Sequence, residues 1–132
     1  MASVIVMVEQ ISGTASRGIA REFGIVMDRP EAKGGTNKGM MGGEALLNSL
    51  GGCFMSNLLA AAKARSFELR NAQVKIEGEI AESPSRFSVI RMSISAQCNT
   101  PEELVKLVTM AERGCIVANT LRAAVELSIQ VV

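Results

Sequence analysis

Between Ala45 and Ala62 the chain carries no charge at all. The run is rich in Ala, Leu and Met and holds no β-branched residue, which predicts a helix rather than a strand. A membrane span needs about 20 predominantly apolar residues. Here two Asn, two Ser and a central Gly pair interrupt the run, so a soluble helix is expected, from about Glu44 to about Arg65, weakened or kinked at Gly51-Gly52. A helix apolar on nearly every face must be buried on nearly every face. One small domain can hardly enclose it, and a second subunit is expected to cover part of it.

The segments around this helix set the fold class. Val4 to Val8 is a short β-branched run, Ser12-Gly13 marks a turn, and Phe23 to Met27 is a second apolar run ending at Asp28-Arg29-Pro30; two or three strands are expected there. Pro30 to Gly43 is dense in glycine and reads as a loop. Beyond the helix, Val74, Ile76, Gly78 and Ile80 alternate with polar residues. After the turn residues Glu82 to Ser85, a return strand places Ser88, Ile90, Met92, Ile94 and Ala96 on one face and Phe87, Val89, Arg91, Ser93 and Ser95 on the other. Thr100-Pro101-Glu102-Glu103 then has the form of a capping box opening a helix with Leu104, Leu107, Val108 and Ala111 on one face, and Gly114 stands at the C-cap position. Val125, Leu127, Ile129 and Val131 alternate with polar residues as a closing strand. The layout is one α+β domain over residues 1–132: N-terminal strands, a long buried central helix, a β-hairpin, a helix and a C-terminal strand.

At 132 residues the chain buries roughly two-thirds of its unfolded surface and holds one core. A net charge of +1, with Lys and Arg scattered, argues against nucleic acid or an anionic membrane as partner, since both demand clustered cations. There is no histidine, which excludes Ser-His-Asp and Cys-His catalysis and His-ligated metals. Three cysteines without a C-x-x-C pair fit neither a disulfide framework nor a four-thiolate metal site. A reduced, cytoplasmic thiol protein is expected, with no metal and no cofactor, and Met1 leads straight into the first strand without a signal peptide.

Chemistry must then rest on the thiols. Cys53 follows Gly51-Gly52; if the pair interrupts the helix, Cys53 starts a new helical turn whose free N–H groups would stabilise a thiolate. Cys115 follows Gly114 at the end of the second helix. Free cysteine is also a common core residue, and both positions are equally open to that reading. Two boundary thiols far apart in sequence could meet and form a catalytic disulfide. Cys98, at the end of the return strand, reads as incidental. The Gly-rich loop with Lys38 lacks the G-x-x-x-x-G-K-[ST] spacing of a phosphate cradle.

The segments Gly34-Gly35-Thr36-Asn37, Gly43 to Cys53, Ala111-Glu112-Arg113-Gly114-Cys115 and Asn119-Thr120-Leu121-Arg122 together resemble the OsmC/Ohr family, the osmotically inducible protein C and organic hydroperoxide resistance proteins. The resemblance covers nearly the whole chain. It implies the OsmC-like α+β fold, an intertwined homodimer with the site at the subunit interface, and thiol peroxidase chemistry on an organic hydroperoxide. In that scheme Cys53 is the attacking thiolate and Cys115 the resolving thiol, and a dithiol such as dihydrolipoamide reduces the disulfide between them. Family members supply a cation from an N-terminal arginine, here Arg17 or Arg21. The hydroperoxide resistance branch carries a Glu ten residues before the first Cys, where this chain has Gly43; its nearest carboxylate is Glu44, at nine. The Pro usual after the second Cys is Ile116 here. A second reading keeps the fold and dimer but assigns the apolar site to a small apolar or acyl ligand, with non-catalytic or redox-sensing cysteines. A third is a structural dimer with buried inert thiols.

Overall fold

The uncharged run forms one unbroken helix, α1, from Gly42 to Ala64 in the computed structural model, which describes residues 2–132. The helix is not interrupted at Gly51-Gly52. Gly51 serves a close approach instead: a Cβ there would stand 2.6 Å from Ile76 Cδ1 on the following strand. The helical hydrogen bonds run on through the pair, although glycine costs about 1 kcal/mol relative to alanine in a helix. By length and composition alone α1 could cross a membrane. Its buried residues are Leu50, Gly51, Phe54, Leu58 and Ala62, a single stripe at the spacing of one helix face. Burial on nearly every face, expected from composition, is therefore not supplied within the chain.

The chain divides into two compact units, one up to Leu46 and one from Leu47 onward. In the first, β1 (Met7–Gln10), β2 (Ser16–Ala20) and β3 (Phe23–Met27) form an antiparallel sheet in that order, with Arg17 opposite Glu9 on one side and Val26 on the other. The apolar run at Val4 enters this sheet only at Met7, and Val4 and Ile5 stay exposed.

Asp28 organises the Gly-rich loop after β3. Its carboxylate is 4% exposed and accepts hydrogen bonds from the Thr36 hydroxyl (2.6 Å) and from the N–H groups of Arg29 (2.7 Å), Thr36 (3.1 Å) and Lys38 (3.2 Å). The glycines let backbone touch backbone: a Cβ at Gly35 would lie 2.0 Å from Arg29 O, and one at Gly39 2.2 Å from Val26 O. The loop's inward N–H groups thus surround the chain's own carboxylate. The Thr36 hydroxyl first, then the backbone donors, hold Asp28 well below the ordinary carboxyl value of 3.8, against the upward push of burial. A depressed folded pKa adds stability that is fully present above the unfolded value and is lost as pH falls below it. Acidification below about pH 4 should therefore loosen this loop, and Asp28→Asn should speed amide exchange at Thr36 and Lys38 at neutral pH. Unchanged exchange in Asp28→Asn would show that the carboxylate does not hold the loop.

In the second unit, β4 (Arg70–Ala81) and β5 (Arg86–Gln97) make the expected hairpin, with Val74 opposite Ile94, Ile76 opposite Met92 and Gly78 opposite Ile90. The pairing shifts between Glu79 and Ile80, where Ser88 is the extra residue. That bulge corrects the sequence reading of one face: Phe87 turns to the side of Ile90, and its ring lies over Gly78, where a Cβ would meet it at 2.7 Å.

Helix α2 (Pro101–Arg113) starts with proline in its first turn, but Thr100 makes no side-chain cap and the expected capping box does not form. Gly114 is right-handed, and a further helix, α3 (Ile116–Arg122), follows at once with Cys115 as its N-cap. The closing strand is not formed. Val125, Leu127, Ile129 and Val131 alternate as a strand would, yet residues 124–132 find no partner strand and these four are 63%, 80%, 91% and 101% exposed. The core gathers Leu50, Phe54, Leu58 and Ala62 of α1 with Leu107 and Ala111 of α2, Cys115, and Ala118 of α3, flanked by Val74, Ile76, Ile90, Met92 and Ile94 of the hairpin. Three helices and two sheets among the described residues confirm the α+β class.

Candidate functional site

Cys53 lies in the middle of α1, half-buried, and Cys115 is fully buried at the start of α3; both are free thiols. They meet. The two side chains shift each other's acidity, so residues 62 apart in sequence form one pair. The geometry treats the two sulfurs differently. The Val117 and Ile116 N–H groups lower Cys53, while Cys115 Sγ accepts from the Ala118 N–H at 3.4 Å and is also lowered by the Val117 N–H. The first three N–H groups of α3, which a helix leaves without internal partners, are therefore all spent on the two sulfurs.

This arrangement pushes the thiols apart in acidity. The Val117 N–H is the main cause that holds Cys53 below the ordinary thiol value of 9.0; burial opposes it, and the Cys115 side chain and the Ile116 N–H add to it. Cys115 moves the other way: burial pushes it up, the Ala118 N–H opposes, and the neighbouring Cys53 raises it further. Of the two, Cys53 is the more acidic sulfur and Cys115 the less acidic.

The donors expected from a helix break before Cys53 are not the ones found. Since α1 runs unbroken, the amides of Cys53's own helix are engaged, and those aimed at its sulfur come from α3, an element the periodicity did not reveal. The one local signal was Cys115 itself, a side chain able to accept at an N-cap position.

The other candidates belong to the first unit. Arg17 is exposed on β2 with its stem over Gly24, 3.5 Å from where a Cβ would stand. Arg21 occupies the turn between β2 and β3 at a φ of 56°, its guanidinium 5.0 Å from the centre of the Phe23 ring. Glu44 accepts a hydrogen bond from the Met41 N–H at 2.8 Å, the backward reach of a capping residue at the start of α1. Cys98 follows β5 directly, half-buried, and belongs neither to the core cluster that holds Cys115 nor to the residues, Cys53 among them, packed against it. Among the described residues no group of three or more Cys, Asp or Glu is placed to hold a metal ion. An open groove of about 460 Å³ runs between α1 and β4, lined by Gly51, Gly52, Met55, Ala72, Val74 and Ile76, and includes neither cysteine of the pair.

Comparison with known proteins identifies the family and the fold. Residues 35–130 match the model of the family described as OsmC-like protein. No curated protein matches the chain. Among solved structures, the chain is similar to an OsmC-like protein from Mycoplasma pneumoniae, with 20% identity, a TM-score of 0.80, and coverage of 92% of this chain and 88% of that one. It is similar also to an organic hydroperoxide resistance protein from Elizabethkingia anophelis, at 16% identity and TM-score 0.70, covering 92% of this chain and 90% of that one. A third similar structure is an organic hydroperoxide resistance protein OsmC from Legionella pneumophila, at 16% identity and TM-score 0.64, with 92% of each chain covered. At these identities the structures establish the fold.

Proposed function

The chain belongs to the OsmC-like family, and from that premise and the paired thiols we propose that it is a cysteine-based peroxidase reducing organic hydroperoxides. The carrying observation is the unequal pair, Cys53 held below the ordinary thiol value at the start of α3 and Cys115 beside it pushed above that value. Cys53 attacks the outer oxygen of the hydroperoxide, the O–O bond breaks, and the departing alkoxide takes a proton to leave as alcohol. Cys53 is then a sulfenic acid. The Cys115 sulfur attacks it, water leaves with the Cys115 proton, and a Cys53–Cys115 disulfide remains, which a dithiol such as dihydrolipoamide reduces by exchange. A cation beside the reacting oxygens would stabilise the developing charge, and Arg17 or Arg21 is proposed for it, with Glu44, nine residues before Cys53, proposed to orient it.

The working form proposed is a cytoplasmic homodimer of a single domain over residues 1–132. Support comes from what one chain leaves uncovered: all but one stripe of α1, and the alternating apolar residues of the last segment, Ile129 being 91% exposed. The groove along α1 and β4 favours a second reading, in which a small apolar or acyl ligand binds there and the thiols are sensory or inert.

Titration with an alkyl hydroperoxide separates the two. Peroxidase chemistry predicts loss of two thiols per chain, one equivalent of alcohol, and a Cys53–Cys115 disulfide in the peptide mass map. Two unreactive thiols at excess hydroperoxide would sink the proposal.

A further inference from the structure

Helix α2 ends where the two thiols meet, and its last carbonyls show how they are held. Four C=O groups at a helix end lack internal partners. Two of these are taken by the chain's own continuation: Met110 O accepts from the Gly114 N–H and Glu112 O from the Cys115 N–H, each at 3.2 Å. The other two are taken by asparagine side chains from the neighbouring helices. Asn57 Nδ2 of α1 donates to Ala111 O at 3.4 Å, and Asn119 Nδ2 of α3 donates to Arg113 O at 3.1 Å.

Each asparagine stands four residues after one of the cysteines: Asn57 after Cys53, Asn119 after Cys115. Residues at that spacing are neighbours on one face of a helix. Both thiol-bearing helices are thus tied, one turn beyond their sulfur, to the same helix end. Gly114, between the two tied carbonyls and Cys115, packs beside Asn57; a Cβ there would stand 3.6 Å from its Nδ2, an ordinary van der Waals contact. An ion pair between Arg122 of α3 and Glu112 of α2 closes the same joint from the solvent side.

We propose that Asn57, supported by Asn119, is a positioning residue that holds the Cys53 sulfur in register with the first turn of α3 and with Cys115. The inference rests on the reading of Cys53 and Cys115 as a working pair. It follows from the steepness of the contacts concerned. A backbone N–H loses most of its hold on an acceptor once the angle closes or the distance opens, so a small rotation of α1 against α2 weakens the Val117 and Ile116 contacts and the thiol pairing together. Asn57 is the part-buried tie and Asn119 the exposed one, so the Asn57 bond, though longer, is the less open to replacement by water.

The test uses the whole chain and needs no hydroperoxide. The pH profile of Cys53 alkylation by iodoacetamide and the equilibrium of the Cys53–Cys115 disulfide with dithiothreitol are measured for wild type, Asn57→Leu, Asn57→Gln, Asn119→Ala and, as a control, Ser56→Ala on the exposed side of α1. Asn57→Leu keeps the volume and removes the donor. It should shift the alkylation midpoint to higher pH and weaken the disulfide equilibrium roughly ten- to a hundredfold, the scale set by an ångström-sized misplacement. Asn57→Gln should recover part of both, Asn119→Ala should move both less far in the same direction, and Ser56→Ala should match wild type. Folded Asn57→Leu with a wild-type profile and equilibrium overturns the proposal. If Asn57→Leu does not fold, Asn119→Ala decides, and wild-type values there overturn it equally. A wild type that ignores hydroperoxide yet shows these variant effects would refute the peroxidase reading and leave this one standing.

Discussion

Cys53→Ser abolishes dithiol-dependent reduction of an alkyl hydroperoxide, with a loss of roughly a thousandfold or more, as expected when a nucleophile acting within a unit is removed. A serine hydroxyl placed at the N–H groups of Val117 and Ile116 is not ionised by them; those donors can lower a thiol, whose ordinary value is 9.0, but not an alcohol far above it. Cys115→Ser behaves differently. It should consume one equivalent of hydroperoxide and stop at a Cys53 sulfenic acid, which a dimedone adduct reports. Cys98→Ser should turn over as wild type, because Cys98 lies outside the cluster that holds Cys115 and against which Cys53 packs. Wild-type reactivity should rise with pH and reach half its limit below 9.0, since Cys53 is held under that value. Retained turnover in Cys53→Ser, or its loss in Cys98→Ser, would place the chemistry on another sulfur.

What could be read in advance followed from how local each signal was. Helix α1 is written in an uncharged run dominated by Ala and Leu, and the hairpin in a period of two, so both are legible without tertiary information. Phe87 was assigned to the wrong face because one inserted residue, Ser88, changes the face of everything before it, and a bulge leaves no mark in the alternation. The segment from Val125 to Val131 has a strand's pattern and no strand, because alternation records which side chains want cover and not whether the covering strand belongs to the same chain. Helix α3 escaped for the opposite reason. It has seven residues, too few for a helical period to emerge, and two of them are β-branched at its start. At the site, the identity of the two thiols was legible through the motifs around them. Their polarisation was not, because it depends on amides of α3 aimed across space at a sulfur on α1.

Phe54→Ala should cost about 3–5 kcal/mol of folding stability, the range for a fully buried aromatic side chain replaced by alanine. Phe54 is 1% exposed and belongs to the cluster of Leu50, Leu58, Leu107, Ala111 and Cys115, so its ring joins the stripe of α1 to α2 and to the thiol joint. Removing it deletes the burial of a ring and leaves a cavity in a layer whose neighbours are themselves fixed. Leu58 and Leu107 are both 0% exposed, and neither can swing into the gap without abandoning its own contacts. The measurement is urea unfolding followed by far-ultraviolet circular dichroism: the midpoint should fall while the slope stays that of wild type, since the surface exposed on unfolding is nearly unchanged. Val105→Ala is the comparison on α2, a position 65% exposed, and should stay within about 0.5 kcal/mol of wild type. A cost below about 1 kcal/mol at Phe54 would be that of a site able to collapse, and would mean that the stripe of α1 is not the core of this unit.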